Sequence, residues 1–288
     1  MDTPDHTERP IGLVLVRATQ RLGAEPFYQE LIAGVENVFG PADVALLLQV
    51  VASAEEELST YRRWAAAGQV DGVLLVDLSR NDVRVDLMIE LGIPTVVVGA
   101  PETAGPFPDV WTNDAAAVHI AVAEIVELGH RVIGRVGGPQ SLAHSQIRSE
   151  AFIEATASLD VVGIEVEAGY SEEGGSSATR EILDRPNPPT VIIYDDDLMA
   201  LGGLMAAEDA GLSVPGDLSM VAWDDSALCQ LSTPKLAALS HDVQAIGELT
   251  AQAMLTFRSD GIARRYEAPM VNLVSRESLR HLNAASAR

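Results

Sequence analysis

Short apolar runs rich in β-branched residues recur along this 288-residue chain with helical stripes between them, and that alternation limits what it can fold into. The runs are Ile11–Val16, 44–51, 73–76, Thr95–Val98, 132–136, Val191–Tyr194 and 220–223. Brief, continuously apolar segments of this kind read as strands buried on both faces of a parallel sheet. Between them the period lengthens to that of an amphipathic helix, as at Phe27, Leu31, Val35 and Val38, and again at Val118, Ala121, Val122, Ile125 and Leu128. Strands alternating with helices close as right-handed crossovers, so the expected class is α/β, with parallel sheets covered on both faces. Gly92, Gly129 and Gly211 each stand where a helix must end before the next strand, as glycine does at a C-cap.

The length exceeds one ordinary core, since domains run to about 100–200 residues. Residues 101–108 hold Pro101, Gly105, Pro106 and Pro108 where a first lobe of about 100 residues would be complete. The first crossover is placed at 110–113. A second alternating series runs to Trp223, followed by one more strand and a long helix with apolar Val243, Ile246, Leu249, Ala253 and Phe257.

Charge narrows the partners. With 42 acidic and 19 basic residues the net charge is −23, which repels a polyphosphate, so this segment by itself is not expected to bind DNA. Solubility is the simplest reason for such a surface. The 47% hydrophobic content excludes a disordered chain. A single cysteine, Cys229, cannot form an internal disulfide; it reads as a buried structural thiol and fits a reducing cytoplasm. No apolar stretch approaches the roughly 18–20 uncharged residues that cross a bilayer, and residues 1–10 lack the basic flank and apolar run of a secretory signal.

Patterns for catalysis and cofactors are missing: no phosphate-cradling glycine loop, no dinucleotide fingerprint after the first strand, no zinc-type H-E-x-x-H and no nucleophile elbow. No catalytic residue, metal or cofactor is expected. What stands out is acid at strand ends, where ligands of open α/β sheets bind. Tyr194-Asp195-Asp196-Asp197 follows one buried run and Asp224-Asp225 another. A carboxylate accepts paired hydroxyl bonds while a nearby aromatic ring covers an apolar C–H face, the combination that grips a sugar. One acid of each cluster is also placed to cap the next helix. The reading adopted here makes Asp197 a cap and turns Asp196 and Asp224 toward a ligand.

Several blocks then resemble the lactose-repressor/galactose-repressor (LacI/GalR) family of transcriptional regulators, over nearly the whole chain from Pro10 to Leu279. They are 68–75 (GQVDGVLL), 92–98 (GIPTVVV), Leu128-Gly129-His130-Arg131 with Gly137-Gly138-Pro139, and Ser145-Gln146-Ile147-Arg148 leading to Phe152. The most specific is 196–214 (DDLMALGGLMAAEDAGLSV), continuing through Pro215 to Asp225; 234–242 and Val274-Ser275-Arg276-Glu277-Ser278 also match.

The resemblance implies two doubly wound parallel-sheet lobes joined by a hinge, of the periplasmic-binding-protein-like type I. The first lobe would comprise 10–112 plus 243–270 and the second 113–242 plus 271–288. Residues 1–9 would be residual linker, with the DNA-binding helix-turn-helix headpiece absent. It implies a small-molecule effector, a neutral sugar, held between the lobes. Its contacts carry over as Arg148, a fork donor to hydroxyls; Asp196, where the family usually has asparagine; Asp224, a bidentate acceptor; Tyr170, a stacking platform; His241, a polar hinge-side contact; and Phe27, the wall of the first lobe. Gly99 stands where the lactose repressor has a ligand-binding aspartate, and Asn113-Asp114 reverses a common order at the crossover, so the particular ligand is left open. Also implied are a cytoplasmic homodimer that meets operator DNA through the headpiece, and no membrane partner. Two other readings stay open at this point: a solute-binding protein delivering a sugar to an ABC transporter, and a glycosidase using two carboxylates.

Overall fold

A computed structural model describes residues 9–17 and 25–282. Of the linker expected at 1–9 only Arg9 falls within them, and 283–288 of the expected second lobe lie outside. In chain order come β1 (Ile11–Val16), α1 (Pro26–Phe39), β2 (Leu46–Val51), α2 (Ala54–Ala67), β3 (Gly72–Leu75), α3 (Val83–Leu91), β4 (Thr95–Val98) and β5 (Asp109–Trp111). Next are α4 (Asp114–Glu127), β6 (Val132–Gly137), α5 (Ala143–Ser158), β7 (Val162–Glu167), α6 (Glu172–Leu183), β8 (Val191–Tyr194), α7 (Asp197–Asp209) and β9 (Ser219–Asp224). The chain closes with α8 (Ala227–Leu231), β10 (Ala237–Ser240), α9 (Val243–Asp260), β11 (Arg265–Glu267) and β12 (Asn272–Val274).

Two compact units result, one from residues up to 112 with 242–269, the other from 113–241 with 270 onward. The first holds a sheet in the order β11-β5-β4-β3-β1-β2, parallel throughout. The second has the order β12-β10-β9-β8-β6-β7, parallel except where β12 runs against β10. This is the α/β class that the alternation of strands and helices predicts, in the doubly wound, periplasmic-binding-protein-like type I arrangement that the resemblance implies.

The period of two explains why each strand reads as continuously apolar. In β1, Ile11, Leu13 and Leu15 enter the cluster with α1 and α9, whereas Val14 joins the opposite cluster with α2 and α3. In β8, Val191 and Ile193 pack with α4 and α5, and Ile192 and Tyr194 with α6 and α7. Most inward positions on either side bury a hydrocarbon, about 1.5–3 kcal/mol for a large one. Gly12 is set by the same crowding, because a Cβ there would stand 2.3 Å from the Trp64 ring.

Caps define the helix ends. Ser53 accepts from Glu56 N–H ahead of α2, which opens with Glu55, Glu56 and Glu57 where the helix dipole favours anions. Gly92, at φ 65°, ends α3 in the left-handed region.

Four short or edge elements escape the apolar pattern. Strand β7 (VGIEVE) is an edge strand whose residues are exposed or half-buried, so it shows no continuous apolar run. Strands β5, β11 and β12 have three residues each, too few to display a period. Strand β2 starts at Leu46, not at residue 44. In the second unit β6, β8, β9 and β10 are parallel neighbours, so Gly138, Asp195, Asp224 and His241 all emerge at one edge.

Candidate functional site

Arg148, in the second turn of α5, is the hub of that edge. Its Nε donates to Asp114 Oδ1 at 2.8 Å, its Nη1 to the Asp195 carbonyl at 3.3 Å, and its guanidinium lies 3.8 Å above the Trp223 ring. It is thus a buried cation with a buried partner, not a surface ion pair. Burial alone would lower its pKa, but Asp114 and Asp195 more than offset this and raise it, so it is a permanent charge. Nη2 makes no hydrogen bond among the described residues, leaving one end of the fork for another acceptor. Asp114 is available because Asn113, before it, accepts from Ala116 N–H and caps α4. The Asn-Asp order at the crossover therefore separates a capping residue from an arginine partner.

The acids at the ends of β8 divide their roles differently from expectation. Asp196, not Asp197, is the N-cap of α7, accepting from Met199 N–H at 3.0 Å. Asp197 turns inward and accepts from Ser226 N–H and the Cys229 thiol, both at 2.9 Å. The reason is geometric: Asp196 keeps the extended conformation (φ −162°) that a capping side chain needs, and Asp197 is already helical. Asp196 is also only partly covered, so capping and ligand contact are compatible. Burial, with Asp224 and Asp197 nearby, pushes its carboxyl up to about 7. Burial and Asp224 push Asp197 up to about 6.

At the end of β9, Asp224 and Asp225 both take positive φ, 79° and 62°, a costly conformation for residues other than glycine. Two bonds hold it: Asp224 Oδ1 lies 2.7 Å from His241 Nε2, and Asp225 meets Arg276 through Oδ2–Nη2 at 2.9 Å. The closing motif thus has a structural task. Arg276 locks Asp225, while Ser278 Oγ donates to Met220 O at 2.6 Å and accepts from Ala237 N–H at 2.8 Å. The second oxygen of Asp224 makes no hydrogen bond among the described residues.

Tyr170, three residues past β7, is half-buried; its hydroxyl lies 2.8 Å from His144 Nε2 and 3.1 Å from Ser145 Oγ. Its ring stacks on that of His144, with centroids 6.2 Å apart. Trp223 is wholly buried under Arg148, so it supports the cation and offers no open face. Phe27 belongs to the first unit, half-buried and packed edge-on against Tyr28 at 5.2 Å. In that unit the carboxyl ends of β1 and β3 carry a network that sequence reading misses: Arg17 Nη2 donates to Asp77 at 2.9 Å and Nε to Glu25 at 2.8 Å.

Arg148, Asp196, Asp224, Tyr170 and His241 are therefore gathered at one edge of the second unit. The arrangement offers fixed donors and acceptors beside an aromatic ring. The Cys229 thiol nearby is buried, its pKa raised by that burial and by Asp197, and it donates to a carboxylate, so it is not an activated nucleophile.

Such a fold is of the periplasmic-binding-protein-like type, and the family model for the periplasmic binding protein-like domain matches residues 122–279. A LacI family transcriptional regulator from Bifidobacterium animalis subsp. lactis is 34% identical, with a TM-score of 0.86 over 94% of this chain and 98% of that one. The transcriptional regulator CelR in complex with cellobiose is 26% identical, with a TM-score of 0.85 over 94% of this chain and 85% of CelR. The HTH-type transcriptional regulator AglR of Rhizobium meliloti is 33% identical over 221 residues, 75% of this chain and 61% of AglR. The chain thus spans less than two thirds of AglR's length. It belongs to the LacI/GalR family of transcriptional regulators.

Proposed function

We propose that this chain is the effector-sensing and dimerisation part of a LacI-type regulator, and that the effector is a small neutral carbohydrate. The observation that carries the reading is the gathering of Arg148, Asp196 and Asp224 at one sheet edge beside Tyr170. The free Nη2 of Arg148 donates to a hydroxyl, the free oxygen of Asp224 accepts one, and the Tyr170 ring meets a C–H face. Each cation here is tied to a protein carboxylate (Arg148 to Asp114, Arg276 to Asp225), so an anionic ligand would face uncompensated acids. The cellobiose complex of CelR supports the carbohydrate class.

In this reading Phe27 closes on the ligand from the first unit, and hinge closure favours one lobe arrangement. A helix-turn-helix headpiece outside this chain converts that preference into a change of operator affinity. The −23 charge leaves DNA contact to that headpiece. The regulator acts in the cytoplasm as a homodimer, without catalysis. The second unit has an apolar surface suited to self-association: Leu231 is 81% and Met205 55% exposed, and Met205 borders a groove of about 700 Å³ with Leu201, Leu204 and Pro234.

The test is thermal-shift stabilisation across sugars, polyols, nucleosides and amino acids, since a ligand that binds only the native state raises the midpoint. A saccharide hit lost in Arg148→Lys and Asp224→Ala is expected. A hit confined to nucleosides or amino acids would replace the effector class, and one indifferent to both substitutions would move the site.

A further inference from the structure

Arg135, in mid-β6, is 1% exposed, so no ligand reaches it, yet its guanidinium is bonded along every edge. Nε donates to Asp195 Oδ1 at 3.0 Å and Nη2 to Asp195 Oδ2, a fork on a carboxylate with no exposed surface of its own. Nη1 donates to Glu165 Oε1 at 2.7 Å on β7. The other oxygen of Glu165 accepts from Ser149 Oγ at 3.0 Å, one residue beyond Arg148 on α5.

Asp195 passes this anchoring to the site. Its Oδ2 accepts from Gly138 N–H at 3.0 Å, its own N–H donates to Val136 O at 3.1 Å, and its carbonyl takes Nη1 of Arg148. Gly138 is where the Tyr170 hydroxyl comes so near that a Cβ would lie 2.2 Å from it. One buried guanidinium therefore ties down the carbonyl behind Arg148, the helix that carries Arg148 and the turn beneath Tyr170. Stability does not explain its presence, because desolvating two charges offsets their attraction and an uncharged pair of similar size is often as stable.

We propose that Arg135 is a positioning residue of the effector site, acting through Asp195 to hold Arg148 and the Gly138–Tyr170 contact in register with Asp196 and Asp224. The proposal rests on the reading of that site given above. Two variants of the full chain test it. Arg135→Met/Asp195→Asn removes both charges of the fork, keeps an acceptor for Gly138 N–H and leaves Glu165, whose side chain is 20% exposed, to solvent and Ser149; Arg135→Lys keeps the charge and loses the fork.

The deciding readout is the ¹H–¹⁵N resonance of Arg148 Nε, assigned by its loss in Arg148→Lys. The Trp223 ring displaces it and the bond to Asp114 slows its exchange, so it reports the geometry of Arg148 and not the stability of the fold. In the double variant the urea midpoint is expected to match wild type while the resonance moves toward that of a solvated arginine. The Kd for the saccharide that most stabilises wild type in the thermal-shift panel rises ten-fold or more, with Arg135→Lys between. An Arg148 resonance at its wild-type position in the variants overturns the proposal, as does an unchanged Kd. Should the double variant fail to fold, Arg135→Lys decides by the same resonance. That resonance needs no ligand, so a panel without a saccharide hit counts against the sugar reading and not against the role of Arg135.

Discussion

Replacing Asp196 by asparagine isolates a charge without disturbing its helix, because asparagine and aspartate are equally good N-caps and Met199 N–H keeps its acceptor. The Asp196 carboxyl is raised from 3.8 to about 7 in the folded protein by burial, Asp224 and Asp197. An acid whose folded pKa lies above its unfolded value binds more protons when folded, so its contribution to stability falls as pH rises between the two values. From pH 5 to 7 the unfolded chain has lost this proton and the folded one keeps it. At about 1.4 kcal/mol per unit, and with the folded carboxyl half ionised at pH 7, wild type loses about 2 kcal/mol over that interval and about 3 by pH 8, where the loss levels off. Asp197, raised to about 6, titrates in the same direction in both proteins, so comparing them singles out Asp196. Urea unfolding followed by circular dichroism at pH 5, 6, 7 and 8 should show Asp196→Asn gaining on wild type by about 3 kcal/mol between the ends of the series. A gap constant to within about 0.5 kcal/mol across that range would refute the argument, since it would mean the carboxyl is ionised in both states throughout.

Three further substitutions probe the scaffold. Ser278→Ala strips buried Ala237 N–H of its acceptor and Met220 O of a donor, and should cost about 1–3 kcal/mol in urea unfolding; a neutral result would mean that water replaces the hydroxyl. Gly138→Ala places a methyl 2.2 Å from the Tyr170 hydroxyl and should destabilise by about 1–3 kcal/mol, a loss largely relieved in a Tyr170→Ala background; no relief would show that other neighbours set the clash. Arg148→Ala strands a buried carboxylate and should cost about 3 kcal/mol, most of it recovered in Arg148→Met/Asp114→Asn; equal losses in the two proteins would deny the ion pair its role.

How much of this the chain announces depends on the kind of signal. The seven apolar runs mark strands because most inward residues on either face are hydrocarbon, as Ile192 and Ile193 illustrate by entering opposite clusters. Strand β7 stays hidden because an edge strand with Glu165 and Glu167 has no need of that pattern. At the site, Asp196 and Asp224 are legible from their place at strand ends, and Arg148 from the family resemblance alone. Which of two adjacent acids caps α7 is not, because it turns on a single backbone conformation at Asp196. The roles of Asp114 and Asp195 stay hidden for a different reason. Their importance lies in what they hold, Arg148 and Arg135, and those pairings span 34 and 60 residues of sequence. Arg135 in an apolar run is the one available hint, since a buried arginine requires a buried partner.

The central claim is that a neutral saccharide is gripped by the acids at the carboxyl ends of β8 and β9. Isothermal titration calorimetry settles it, using the saccharide that most stabilises wild type, on wild type, Asp224→Ala and the exposed-acid control Glu181→Ala. Losing a charged hydrogen-bond partner is worth about 1.5–3 kcal/mol, so Asp224→Ala should weaken binding by roughly 10- to 100-fold while Glu181→Ala binds as wild type does. Equal affinity in all three proteins would contradict the account and place the ligand elsewhere.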